Sequence, residues 1–263
     1  MRAFACASAL SLALAGAAEA APPQRVASLN LCTDELLLLV ADPRQIASVS
    51  YLSQLPEETP LWARAQAYRR NDGSLLSVAG MKPDLVLTMG GGGRGRAAVG
   101  GRLGTKVLDL PFPAAIADVE TATMRVAVAL GREARGRALV AAMERARRSA
   151  PPRPADAIYL SGGGRSVSAE GTAAEWMAAA GLRQRPLAGD RADLETLLVR
   201  PPAVLLRGSY RSGQFSAEQR WLSHPLAQRV RADRSLATDG RLWTCMGPLM
   251  VPEVLRLRRA LGR

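Results

Sequence analysis

The chain is poor in aromatic residues. Phenylalanine, tryptophan and tyrosine make up 4% of its 263 residues. Its core must therefore be aliphatic and alanine-rich, drawn from a hydrophobic content of 48%. Lysine occurs only at Lys82 and Lys106, so arginine carries the net charge of +12. Such a charge can mark a nucleic acid, an acidic membrane or an anionic ligand as partner. The arginines are scattered, as at Arg125, Arg132, Arg137 and Arg145, which is the pattern of a solvated surface. There is one histidine, His224 in Ser-His-Pro. It reads as a turn residue and argues against a multi-histidine zinc site or a Ser-His-Asp triad. The adjacent Glu57 and Glu58 read as solvated charge rather than as a glycosidase pair. Beyond residue 20, no apolar run reaches the ~20 residues of a membrane span.

Cysteine is scarce too. Cys6 lies inside an apolar stretch, residues 3–18, that follows Arg2 and precedes Ala18-Glu19-Ala20. Positive start, apolar middle and A-x-A site together predict a secretory signal peptide over residues 1–20. No lipobox precedes Cys6, so a lipoprotein is not expected. Export of this plain kind suits a bacterial periplasm and weighs against DNA or RNA as partner. The mature part keeps Cys32 and Cys245. An even count in an oxidising compartment permits one disulfide across a very long loop, and two free thiols lining a pocket is the other reading. The sequence leaves both open.

The longest helical pattern covers residues 115–149. It lacks proline, and Ile116, Val119, Val126, Leu130, Leu139 and Met143 recur at helical spacing. One continuous helix of this length would run roughly 50 Å, too long for a single small domain. It is therefore expected to be a strut between an N-terminal lobe (21–114) and a C-terminal lobe (150–263). Gly131 and Gly136 are the two places where it could break into two helices.

Short strands and helices alternate on both sides of this stretch. QRVASL (24–29), IASVS (46–50), LVLTM (85–89) and KVLDL (106–110) read as strands of the first lobe, and AIYL (157–160) and AVLL (203–206) of the second. Thr33 is placed to cap a helix with Asp34 and Glu35 in its first turn. LLSVAGMKPDLVLTMGGG and LETLLVRPPAVLLRGS echo one another: helix, proline, aliphatic strand, then glycine and polar residues. Open parallel α/β sheets bind ligands beyond the carboxyl ends of their strands, where GGGGRGR (90–96) and SGGGRS (161–166) fall. GGGGRGR lacks the Gly-Lys-Ser/Thr ending of a phosphate loop, so it reads as a cleft loop whose arginines can meet an anionic group. Tyr51 and Trp243 are aromatics near strand ends that could stack on a planar ligand.

Taken in order, RVASLNLCTDELLLLVAD, IASVSYL, SLLSVAGMKPDLVLTMGGG, the long helix, LETLLVRPPAVLL and RLWTCMGP resemble the periplasmic solute-binding proteins of ABC importers for ferric siderophores, haem and cobalamin. The resemblance covers about residues 22–262. It implies two Rossmann-like α/β lobes with central, mostly parallel sheets, one long linking helix, and a ligand cleft between the lobes. It implies no catalysis and no resident cofactor or metal. The ligand would be a metal chelate, and the partner an inner-membrane permease with its ATPase, served by a monomer. Cys32, Tyr51, Arg94, Arg165, Arg207, Arg241 and Trp243 are the expected cleft residues. The arginines suit acidic siderophores or haem propionates better than an aromatic cobalamin pocket. The family's permease-contacting acid matches Glu195 in the second lobe. Its first-lobe counterpart is Leu76, with Asp72 a weak substitute. A secreted enzyme on the same scaffold and a basic envelope interaction module are the alternatives from other classes.

Overall fold

The computed structural model describes residues 21–90, 98, 100–102, 104–209, 224–225 and 235–262. The expected signal segment, Arg94 and most of GGGGRGR lie outside these residues. The first sheet contains β1 (Val26–Ser28), β2 (Ile46–Ser50), β3 (Arg69–Asn71), β4 (Leu85–Met89) and β5 (Lys106–Leu110), in the order β3-β2-β1-β4-β5. The second contains β6 (Ala155–Leu160), β7 (Leu182–Gln184), β8 (Val204–Ser209) and β9 (Ser235–Asp239), in the order β7-β6-β8-β9. All pairings between these strands are parallel. β1 and β4 are buried along their whole length, as parallel strands covered by helices on both faces require.

The helices are α1 (Leu31–Val40), α2 (Trp62–Ala65), α3 (Leu75–Ala79), α4 (Ile116–Ala129), α5 (Glu133–Arg148), α6 (Gly171–Ala179), α7 (Leu194–Val199), α8 (Leu242–Cys245) and α9 (Met250–Ala260). α1 begins two residues before its expected cap. Asn30, not Thr33, caps it, accepting a hydrogen bond from the Cys32 amide at 2.9 Å. Thr33 turns inward to donate to the Asn30 carbonyl and to meet Ser28 Oγ at 2.8 Å.

The expected single long helix is instead a hairpin of α4 and α5. The break falls at Gly131, whose φ of +65° is left-handed. The Arg132 amide bonds back to the Ala127 carbonyl at 2.8 Å and the Gly131 amide to Val128 at 3.1 Å. This paired closure ends a helix around a left-handed glycine and satisfies its last carbonyls. The first lobe grips the turn. Arg132 pairs with Asp42 at 3.1 Å, and Gln45 Nε2 donates to the Leu130 carbonyl at 3.0 Å. The two helices lie close because Gly136 has no side chain. A Cβ there would stand 2.4 Å from the Ala127 Cβ.

Each helix of the hairpin serves both cores. α4 gives Ile116 and Val119 to the second-lobe core and Ala122, Val126 and Ala127 to the first. α5 returns, placing Leu139 against the first core and Met143 and Ala146 in the second. At roughly 1.5 Å per residue, each spans a little over 20 Å, enough to cross the seam once. Arg258 of α9 fixes the far end, donating to the Ala179 carbonyl at 2.7 Å, to Ser149 Oγ at 2.9 Å and to the Ala146 carbonyl. Among the described residues, no helix is long and apolar enough to cross a membrane.

Candidate functional site

The carboxyl ends of the two sheets meet. Cys32, just past β1, is disulfide-bonded to Cys245, just past β9, with 5.1 Å between Cα atoms and a sequence separation of 213. Of the two readings open for these cysteines, the structure has the bonded one. Beyond β2, the Pro56 carbonyl accepts from Arg241 Nη1 at 2.6 Å. Beyond β5, the Pro113 carbonyl accepts from Thr172 Oγ1 at 3.1 Å. Strand order reverses between β1 and β4 in one sheet and between β6 and β8 in the other. These are the points where open parallel sheets leave a crevice for ligands. The glycine loops begin at them, one at Gly90 after β4 and the other at Ser161 after β6.

The second loop is well braced. Gly163 and Gly164 have φ of +67° and +74°, values that favour glycine. The Ser161 amide bonds to the Arg165 carbonyl at 2.8 Å, the Ala192 amide to Gly164 at 2.8 Å, and Arg191 Nη2 to Gly163 at 2.6 Å. The Arg165 side chain is exposed. Arg207 is exposed as well, near the end of β8 and in register with Leu160. Tyr51 is exposed directly after β2. Thus Tyr51, Arg165 and Arg207 sit at strand exits with their side chains open to solvent.

Two expected cleft residues are committed elsewhere. Trp243 is 4% exposed and belongs to the second-lobe core. Its ring lies 4.9 Å from that of Tyr159, and its Nε1–H donates to Thr238 Oγ1 at 2.9 Å. That is a correction: a turn after a strand looked accessible in sequence, but α8 folds the indole inward. Arg241 is held by the Asp239 carboxylate, with Nε at 2.9 Å and Nη2 at 2.6 Å, besides its bond to Pro56. Hydrogen bonding to Asp239 pushes its pKa above the usual arginine value. It works as a clasp between lobes whose charge Asp239 already compensates.

Sequence reasoning missed Phe112. It is 67% exposed just past β5, and a Cβ on Gly90 would come within 2.7 Å of its ring. The signal was an aromatic directly after an aliphatic strand, the same signal that singled out Tyr51. The buried acids of α1 were also missed. Asp34 is fully buried, accepting from the Ser50 amide at 3.1 Å and from Ser50 Oγ at 2.5 Å. Burial pushes its pKa up to about 6. Glu35 is 3% exposed and accepts from Thr59 Oγ1 at 2.6 Å. Burial pushes its pKa up to about 7. Position near the start of α1 suits both acids to the helix dipole, yet each faces a residue distant in sequence, Ser50 and Thr59.

In each lobe the echoed unit forms a matching helix. Ser74 caps α3 by accepting from the Ser77 amide at 3.2 Å, and Asp193 caps α7 by accepting from Thr196 at 2.6 Å. Hydrogen bonds from Thr196 hold the Asp193 carboxyl below the usual range. Two residues past each cap stand Leu76, 86% exposed, and Glu195, also exposed. Among the described residues, no group of three or more His, Cys, Asp or Glu could hold a metal ion.

No family model matches the sequence, and no curated protein does. Solved structures do match. A periplasmic haem-binding protein from Pseudomonas aeruginosa is 18% identical, with a TM-score of 0.65 over 90% of this chain and 92% of that one. An ABC-type Fe3+-hydroxamate transport protein from Saccharomonospora viridis is 19% identical, with a TM-score of 0.65 over 92% and 94%. A periplasmic vitamin B12-binding protein from Vibrio cholerae is 16% identical, with a TM-score of 0.62 over 92% and 97%. The chain has the fold of the periplasmic binding proteins. In this binding-protein fold the seam, with Tyr51, Phe112, Arg165 and Arg207 at its strand exits, is the candidate site.

Proposed function

We propose that the chain is the substrate-binding component of an ABC importer. Exported to the periplasm by residues 1–20, it captures a metal chelate between its lobes and delivers it to a membrane permease, without chemical reaction. The observation that carries this reading is the meeting of both sheets' carboxyl ends at one seam with exposed arginines at the strand exits. Arg165 and Arg207, with Arg94, would pair with carboxylates on an acidic siderophore or a haem. Tyr51 and Phe112 would supply apolar faces. Exposed Glu195 on α7 is the proposed permease contact, with Leu76 in the equivalent place on α3. Because the α4–α5 hairpin crosses the seam twice, ligand capture would involve little lobe closure.

A thermal-shift panel of haem, cobalamin and several ferric siderophores tests this. A true ligand at one hundred times its Kd adds about 2.7 kcal/mol of stability. Arg165→Ala and Arg207→Ala should weaken a carboxylate-bearing ligand and leave the unliganded melting point unchanged. A panel in which nothing shifts the melting point would end the receptor reading.

A further inference from the structure

Ligand capture makes no use of Glu35, a buried carboxyl group beside the inter-lobe disulfide. Glu35, Cys32 and Cys245 line one small cavity of about 20 Å³ at the seam, room for a single water. The other walls are apolar, among them Met89, Pro113, Val119, Ala122 and Pro248. The two sulfurs are not equivalent. Cys32 is partly exposed and sits in the first turn of α1, whose N-terminus favours negative charge. Cys245 is 8% exposed, and burial disfavours its thiolate.

We propose that Cys32–Cys245 is an exchangeable crosslink, opened by an external dithiol, with Glu35 as its proton donor. In the first step a thiolate of the dithiol attacks Cys32 Sγ, forming a mixed disulfide and breaking the bond to Cys245. The electron pair leaves on Cys245 Sγ, which takes a proton from the Glu35 carboxyl directly or through one water. In the second step the other thiolate of the dithiol attacks the sulfur bound to Cys32. The reductant departs as its own disulfide, and Cys32 leaves as a thiolate stabilised at the helix N-terminus. Glu35 then recovers a proton from solvent. Two electrons pass from dithiol to protein, and the covalent tie between the lobes is lost.

The surroundings of Glu35 support this role. Burial raises its pKa to about 7, and the like charges of Asp34 on the same helix and Asp239 from the other lobe add to the rise. The Arg241 guanidinium pairs with Asp239 and offsets part of that charge. The Thr59 hydroxyl donates to Oε1. A Cβ on Gly247, two residues past Cys245, would lie 4.0 Å from Oε2, so the other carboxyl oxygen faces the turn that follows Cys245.

The test uses the oxidised full chain and dithiothreitol, with released thiols alkylated and located by mass spectrometry. Rates are normalised to dithiothreitol thiolate between pH 5.5 and 8.5. The native protein should be reduced with a normalised rate that falls as pH rises through about 7. Glu35→Gln should slow it about tenfold at pH 6 and flatten that profile. Thr59→Val, which keeps the acid and removes its partner, should retain the native rate at pH 6. Glutathione should leave its adduct on Cys32. A native disulfide inert to dithiothreitol, an unchanged rate in Glu35→Gln, equal slowing in Thr59→Val, or an adduct on Cys245 would each overturn the proposal.

Discussion

The echoed helix–strand units of the two lobes are built to one plan, whereas the seam between the lobes is built from unlike parts. In the echoed units, Ser74 and Asp193 cap short helices, Val78 and Leu197 are buried one turn later, and Pro83 and Pro202 lead into β4 and β8. At the seam, the first lobe offers a ten-residue helix with two buried acids, and the second offers the four-residue α8 with its core tryptophan. Cap, buried residue and proline satisfy backbone groups and fill the core, and each lobe meets those needs in the same way. The exposed position between them is under no such demand, so Leu76 and Glu195 can differ without altering the helix. At the seam the parts are complementary instead: the first lobe supplies Cys32 and the Pro56 carbonyl, and the second supplies Cys245 and Arg241.

This contrast predicts large effects at the seam and small ones in the echoed units. Replacing both Cys32 and Cys245 with alanine removes a crosslink spanning 213 residues. Chain entropy puts the loss at about 5 kcal/mol, measurable by urea unfolding of the oxidised protein and the variant. Glu35→Gln comes next. The Glu35 pKa is raised by folding, from 4.5 to about 7. The proton-linked stability is therefore full below pH 4.5 and lost as pH rises through 7. Glutamine does not titrate, so the variant should gain about 3 kcal/mol over native at pH 8 and nothing at pH 4. A constant difference across that range would mean that Glu35 is not buried as a proton-binding group.

Gly131→Ala is a test of sign. In a left-handed turn it should cost about 1 to 2 kcal/mol. In a continuous helix it would instead stabilise by about 1 kcal/mol. The caps of α3 and α7 should show the smallest effects. Ser74→Ala should cost about 1 kcal/mol at any pH. Asp193→Ala should destabilise at neutral pH, with the loss fading as pH falls below the usual carboxylate pKa, because folding lowers the pKa of Asp193. Equal pH profiles for the two caps would break the assignment of Asp193 as a charged cap.

Much of the fold was legible because local rules decide it. Aliphatic runs bounded by proline and glycine became the parallel strands, and the echoed units became matched helices. The hairpin was half legible. Gly131 is a breaker on its face, but nothing local says whether a glycine in a helical pattern will close the helix. Here the decision comes from Asp42 and Gln45, which grip the turn from nearly ninety residues away. The site was less legible for the same reason. Trp243 and Phe112 both stand near strand ends, and only the packing of Tyr159 and Thr238 against Trp243 separates the core residue from the exposed one. Asp34 and Glu35 carry first-turn charges that any amphipathic helix could show, and their partners Ser50 and Thr59 lie on other segments.

The hairpin has a mechanical consequence. A single rod joining two bodies lets them twist about its long axis at little cost, since few contacts change. Two helices in tight contact through Gly136 and Ala127, each anchored in both cores, share no such axis. Torsion between the lobes would shear one helix along the other and pull side chains from both cores together. A bend that opened the seam would have to part Arg241 from the Pro56 carbonyl and work against the Cys32–Cys245 bond, so a cargo would leave past two lobes that keep one spacing and one angle.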